Sequence, residues 1–190
     1  MVPVIVCGEN KRCEDRLVYT LSKSFSKYGN VIEYRNLSFI GNQDSIKSIN
    51  RNHMKNFIIY ELPKVPIVNK TKGILIFKNS FKCDNTELKL DKLIPIVDDQ
   101  NKSAISILSH TGTSAISCGM AMHNTLSIAS IDENNAVISL QRDIKTLTDS
   151  IIEPHDFPVY YNKRIDMFSL LAVSAVLLLS NIDSSKGYNI

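Results

Sequence analysis

The chain alternates short apolar runs with polar, turn-forming breaks. Val2 to Cys7 is apolar throughout apart from Pro3 near its start, the pattern of a strand covered on both faces. Gly8-Glu9-Asn10 supplies a turn. From Cys13 to Tyr28 the residues Leu17, Val18, Leu21, Phe25 and Tyr28 recur at three- and four-residue intervals, which sets them along one face of a helix ending before Gly29-Asn30. Val31 to Tyr34 follows as a second strand. A strand, turn, helix, strand unit needs a crossover connection, so a parallel sheet is expected.

Phe57 to Leu62, Gly73 to Phe77, Leu93 to Val97 and Ser114 to Cys118 repeat the buried-strand pattern. The polar stretch Gly41 to Lys55 is expected to be helical in part, and Asp98-Asp99 to cap a helix running to Leu108. After Gly119 the pattern changes. Thr125 to Ile131 and Ala136 to Gln141, separated by Asp132-Glu133-Asn134-Asn135, predict a hairpin, and Ile144 to Leu147 with Ile151 to Tyr160 predict a further pair around Thr148-Asp149-Ser150. Pro154 and Pro158 confine parts of that last strand to an edge. A helix from Ile165 to Leu179 closes the pattern; its apolar run Met167 to Leu179 is shorter than the ~20 residues of a membrane span and is flanked by Asp166 and Asp183, so a buried helix is expected. The fold class is therefore α/β, a mostly parallel sheet flanked by helices with a smaller antiparallel β region. One domain over 1–190 is expected, with a parallel core at 1–119, an antiparallel region at 120–162 and a closing helix at 163–182.

Composition narrows the function classes. Hydrophobic residues at 44% and charged residues at 22%, with only 7 Gly and 6 Pro, are those of a globular chain without a flexible linker. The net charge of +3 comes from interspersed acids and bases, with no basic stripe, so neither nucleic acid nor a membrane surface is expected as a partner. Cys7, Cys13, Cys83 and Cys118 lack metal-ligand pair spacing and read as reduced thiols. Met1 to Cys7 has no basic leading segment or long apolar core, so no signal peptide and a cytoplasmic location are expected.

Four stretches, in this order, resemble the central domain of the Mur ligases. They are Val4-Ile5-Val6-Cys7-Gly8-Glu9-Asn10-Lys11 with the following helix; Phe57-Ile58-Ile59-Tyr60-Glu61; Ile94-Pro95-Ile96-Val97-Asp98-Asp99 with its helix and Ala115-Ile116-Ser117-Cys118-Gly119; and Phe157-Pro158-Val159 leading into the helix with Ala172 and Ala175. The resemblance implies a P-loop type fold that uses ATP and magnesium to join an amino acid to a carboxylate through an acyl phosphate. It would give Gly8, Asn10 and Lys11 to the phosphates, Glu61 to magnesium and Ser169 to the neighbourhood of adenine.

The sequence departs from that pattern where the chemistry is most demanding. A phosphate loop needs small residues for close backbone approach, a lysine, and a hydroxyl for magnesium. Here the glycine before Lys11 is missing, Arg12 stands where the hydroxyl belongs, and Glu9 adds negative charge. After Phe77 the family's threonine, asparagine and aspartate-histidine pair are replaced by Lys78-Asn79-Ser80-Phe81-Lys82, in which only Asn79 corresponds. The resemblance also implies a carboxy-terminal ligase domain, and this sequence ends at Ile190 soon after the closing helix. The expectation is a degenerate phosphate loop in a pseudoenzyme, a binding or assembly module with at most weak nucleotide affinity that works with another protein. The alternatives are an ATP-dependent amide ligase subunit completed by a separate chain, and a structural homo-oligomer that self-associates through Gly119 to Tyr160.

Other candidates carry two readings each. Glu61 at a strand end suits a cation or a solvated terminus, and Asp98-Asp99 suits a ligand at the carboxyl edge of the sheet or a helix cap. Cys7 and Cys118 stand beside glycines at strand ends but lack an identifiable base, so buried thiols are expected. Ser139-Leu140-Gln141-Arg142 offers an amide and a guanidinium to an anion or to solvent. His53, His110, His123 and His155 are scattered without metal-ligand spacing.

Overall fold

The computed structural model describes residues 1–9, 16–35, 55–68, 71–82, 88–161 and 165–190. The strands β1 (Val2–Cys7), β2 (Gly29–Arg35), β3 (Lys55–Leu62), β4 (Gly73–Phe77), β5 (Leu93–Asp98) and β6 (Ile116–Gly119) are joined by the helices α1 (Arg16–Phe25) and α2 (Lys102–Thr111). β7 (Leu126–Ile131), β8 (Asn135–Leu140), β9 (Ile144–Lys145), β10 (Ile151–Ile152) and β11 (His155–Tyr160) follow, then α3 (Met167–Leu179) and β12 (Tyr188–Asn189). Among the described residues ten strands form one sheet in the order β12-β11-β8-β7-β6-β5-β4-β1-β3-β2. β2 to β7 and β1 pair in parallel, whereas β7, β8 and β11 are antiparallel.

Residue alternation in the strands feeds two cores. Val2, Val4 and Val6 of β1, with Phe57 and Ile59 of β3 and Ile74 and Ile76 of β4, face α1 and α3. Ile5 and Cys7, with Leu62, Leu75 and Phe77, face α2. This double coverage explains why the strands read as continuous apolar runs. α1 buries Leu17, Val18, Leu21 and Phe25, the side chains that the three- and four-residue spacing aligns, and the Phe25 ring stacks on Phe57 at 4.5 Å. The helix expected from Cys13 is observed from Arg16; residues 13–15 and most of Gly41 to Lys55 lie outside the described residues, and Lys55 itself opens β3.

Two local expectations are corrected. Asp98-Asp99 does not cap α2: Asp98 Oδ1 accepts from the N–H of Gln100 in a local turn, and Asn101 is the cap, its Oδ1 accepting from Ala104 N at 3.1 Å. The expected antiparallel region is present, with β7, β8 and β11 pairing antiparallel, and it joins the parallel core where β7 lies parallel to β6 over two positions. The pair expected from Ile144 to Tyr160 divides, with β9 and β10 forming a separate two-stranded sheet while β11 joins β8. Pro158 does stand on an outer stretch, since β12 covers only Val159 and Tyr160. α3 is buried from Ser169 to Leu179, packed between α1 and the β5–β7 face. Among the described residues no helix is long and apolar enough to cross a membrane.

Candidate functional site

The strand order reverses between β1 and β4, because the chain goes from β1 to β2 and β3 on one side and then to β4 on the other. Open α/β sheets take ligands outside the carboxyl ends of strands at such a point. Gly8 follows β1 there, Glu61 lies near the end of β3, and Lys78, Asn79 and Ser80 follow β4. Asp98 and Asp99 end β5, and Gly119 ends β6.

Glu61 and Lys78 form an ion pair in which the side chains are 4% and 2% exposed. Register explains the contact. Val6 of β1 is level with Glu61 on one side, and Cys7 is level with Phe77 on the other, so Gly8 falls beside Lys78. Glu61, Gly8 and Lys78 thus share one face by alternation, and the lysine reaches the glutamate by passing over Gly8. A Cβ on Gly8 would lie 2.8 Å from Lys78 Cβ and 3.0 Å from Ser80 Oγ, and its φ of +150° is a conformation that only glycine adopts readily. The Lys78 backbone is fixed from both sides: its N–H donates to Cys7 O at 2.9 Å, and its carbonyl accepts from Phe81 N at 2.9 Å and from Asn101 Nδ2 at 2.8 Å. Ser80 Oγ donates to the Glu9 carbonyl at 2.8 Å. The cap of α2 is therefore tied directly to the end of β4.

A second polar group occupies the ends of β5 and β6. Asn79 Nδ2 donates to Asp98 Oδ2 at 2.9 Å, Gln100 Nε2 to Asp99 Oδ1 at 2.9 Å, and Asn124 Nδ2 to Asp99 Oδ2 at 2.8 Å. Both carboxylates are half-buried, and Asn124 is fully buried. Burial, followed by the charges of Asp98 and Asp99, pushes the Cys118 thiol up, so it stays protonated and unreactive as a nucleophile.

Of the residues expected to bind ligand, Gly8, Glu61, Asp98 and Asp99 share the carboxyl edge, while Asn10 and Lys11 lie outside the described residues. Ser169 is buried in the first turn of α3, its N–H held by Asp166 Oδ1 at 2.8 Å. Lys78 was missed in sequence reasoning, where it counted only as a departure from the family pattern; the available signal was a lysine directly after an all-apolar strand. The Gln141 and Arg142 groups are engaged within the fold, Gln141 Nε2 with Ser127 Oγ at 2.9 Å and Arg142 with the His123 carbonyl. His110 bonds the Ser106 carbonyl, and His155 bonds Ser184 and the Glu153 carbonyl. Among the described residues no group of three His, Cys, Asp or Glu side chains could hold a metal ion.

No family model matches the sequence, and no curated protein matches it. Among solved structures the chain is similar to a murein peptide ligase, Mpl, of Psychrobacter arcticus 273-4, with 9% identity and a TM-score of 0.46 over 98% of this chain. This chain spans 45% of that protein's length. The α/β architecture stands on the sheet topology itself.

Proposed function

We propose that this chain is a Mur ligase-like binding or assembly module that does not carry out ATP-dependent ligation by itself and has at most weak affinity for nucleotide. The observation that carries this reading is the buried Glu61–Lys78 pair. The resemblance would give Glu61 to magnesium, but here its charge is already met by an ammonium from its own sheet. A metal ion arriving at Glu61 would have to break a desolvated pair, and stripping one partner from such a pair costs about 3–5 kcal/mol. The sequence around Gly8 supports the same reading, since Arg12 replaces the magnesium hydroxyl and Glu9 opposes phosphate charge. Such a module would act in the cytoplasm with another protein or a second copy of itself.

The test is thermal stability in millimolar ATP and magnesium. A ligand at a hundred times its dissociation constant adds about 2.7 kcal/mol, so the expected outcome is no shift in Tm. A clear shift that Lys11→Ala abolishes would overturn this reading in favour of a ligase subunit completed by a separate chain. Light scattering separates the two kinds of partner, because a strict monomer excludes the homo-oligomer.

A further inference from the structure

A hydrogen-bond acceptor buried without a donor is costly and uncommon, so each one calls for an explanation. Asn124 carries such an acceptor beside the carboxylates that end β5. Its side chain is fully buried, its Nδ2 donates to Asp99 Oδ2 at 2.8 Å, and its Oδ1 has no hydrogen-bond partner. Chemistry fixes the orientation of the amide, because turning it over would set two acceptors against each other. With Nδ2 on the carboxylate, Oδ1 lies within roughly 5 Å of Asp99 Oδ2, so the two oxygens border one space. The exposed turn Met120 to His123 leads directly into Asn124 and sets that space close to solvent.

The same edge is rich in acceptors and poor in cations. Asp98 accepts from Gln100 N and Asn79 Nδ2, and Asp99 from Gln100 Nε2 and Asn124 Nδ2, all of them neutral donors. Among the described residues the ion pairs belong to Glu61 and Asp149 with their lysines, and neither Asp98 nor Asp99 takes part. The start of α2 contributes the equivalent of about half a positive charge, less than two carboxylates call for.

We propose that the carboxyl edge of β5 and β6 binds a primary ammonium group, held by the Asp99 carboxylate and Asn124 Oδ1, with Asp98 adding negative potential. Each carboxylate oxygen already accepts one hydrogen bond, which leaves no open side for the two parallel bonds of a guanidinium. An ammonium instead places single donors on separate acceptors. A metal ion would need further ligands, and among the described residues no group of three His, Cys, Asp or Glu side chains supplies them. The ammonium belongs either to a free amine or to a lysine side chain of a partner. This site is independent of the Glu61–Lys78 pair and of nucleotide, so its failure would leave the proposed function standing.

Nuclear magnetic resonance of the isotope-labelled full chain, titrated with butylammonium chloride, tests the proposal, with potassium chloride at equal ionic strength as the control. The expected result is a saturable shift of the Asn124 side-chain amide in millimolar butylammonium. Asp99→Asn keeps an acceptor for Asn124 but removes the charge, and its affinity should be roughly tenfold or more weaker. A wild type that does not respond, or responds equally to potassium, overturns the proposal, and so does an Asp99→Asn protein that binds as tightly as the wild type. If Asp99→Asn does not fold, the wild type decides alone: a shift centred on Asn124, Gln100 and Gly119 supports the proposal, and one centred elsewhere refutes it. A short peptide with blocked ends and one lysine identifies the source. Saturation by both probes supports a partner's lysine, and saturation by butylammonium alone supports a free amine.

Discussion

Gly8 after β1 and Gly119 at the end of β6 are both crossed by a polar pair from neighbouring segments, yet the two crossings differ in charge and in water. At Gly8 the pair is ionic, both side chains are almost completely buried, and the glycine adopts a φ of +150°. At Gly119 the pair is a carboxylate and an amide, Asp99 and Asn124, and a Cβ would lie 2.1 Å from Asp99 Oδ2 and 2.5 Å from Asn124 Nδ2. Asp99 remains half-buried at the boundary with solvent. The ionic crossing closes its end of the sheet edge, whereas the amide crossing leaves a carboxylate accessible. One glycine therefore serves both backbone conformation and space, and the other serves space alone.

That distinction predicts unequal costs for the same substitution. Gly8→Ala should be the more damaging, by about 3–4 kcal/mol, because backbone strain and overpacking each contribute about 1–3 kcal/mol. Urea denaturation measures it, and a loss under about 1 kcal/mol would show that the Lys78 crossing is loose. Gly119→Ala should cost about 1–2 kcal/mol, since the first atoms met are the far ends of side chains that can move. Adding Asp99→Ala should recover much of that loss, a non-additivity with no counterpart at Gly8, where the strained backbone would remain.

The smallest effect separates paired charge from buried neutral groups. Burial is the main cause that raises the Tyr188 phenol above its ordinary value of 10.0, followed by the nearby Tyr28. A group whose folded pKa is raised keeps its stabilising contribution below the unfolded value and loses it as pH rises further. The Tm should accordingly fall above pH 10, the ordinary Tyr188 value. Tyr188→Phe should soften that fall while costing about 1 kcal/mol at neutral pH for the lost bond to the Ile182 carbonyl. An alkaline transition unchanged in Tyr188→Phe would assign it elsewhere.

Much of the fold was legible because strands buried on both faces write themselves as unbroken apolar runs. Val2 to Cys7 and Gly73 to Phe77 are observed with the bounds expected from their residues. The amphipathic face of α1 was equally plain, since its spacing aligns Leu17, Leu21 and Phe25. Local competition was harder to read. Asp98 has the chemistry of a helix cap but spends it on Gln100 N two residues on, leaving the cap to Asn101. The Glu61–Lys78 contact was out of reach because it depends on β1 lying between β3 and β4, and on a register that sets Gly8 beneath the lysine. Strand order across a crossover is a property of the whole sheet, and neither residue carries it in its neighbours.

The burial of α3 has a consequence for biosynthesis. Eleven of the thirteen residues of α3, Ser169 to Leu179, are buried; the helix covers the β5–β7 face and emerges after all of those strands. A nascent chain that has reached Tyr160 already holds the strands through β11, while the surface destined for α3 is still bare. Such an intermediate exposes apolar surface that favours aggregation. Chaperone demand should therefore rise once β11 has been made and fall when α3 clears the ribosome.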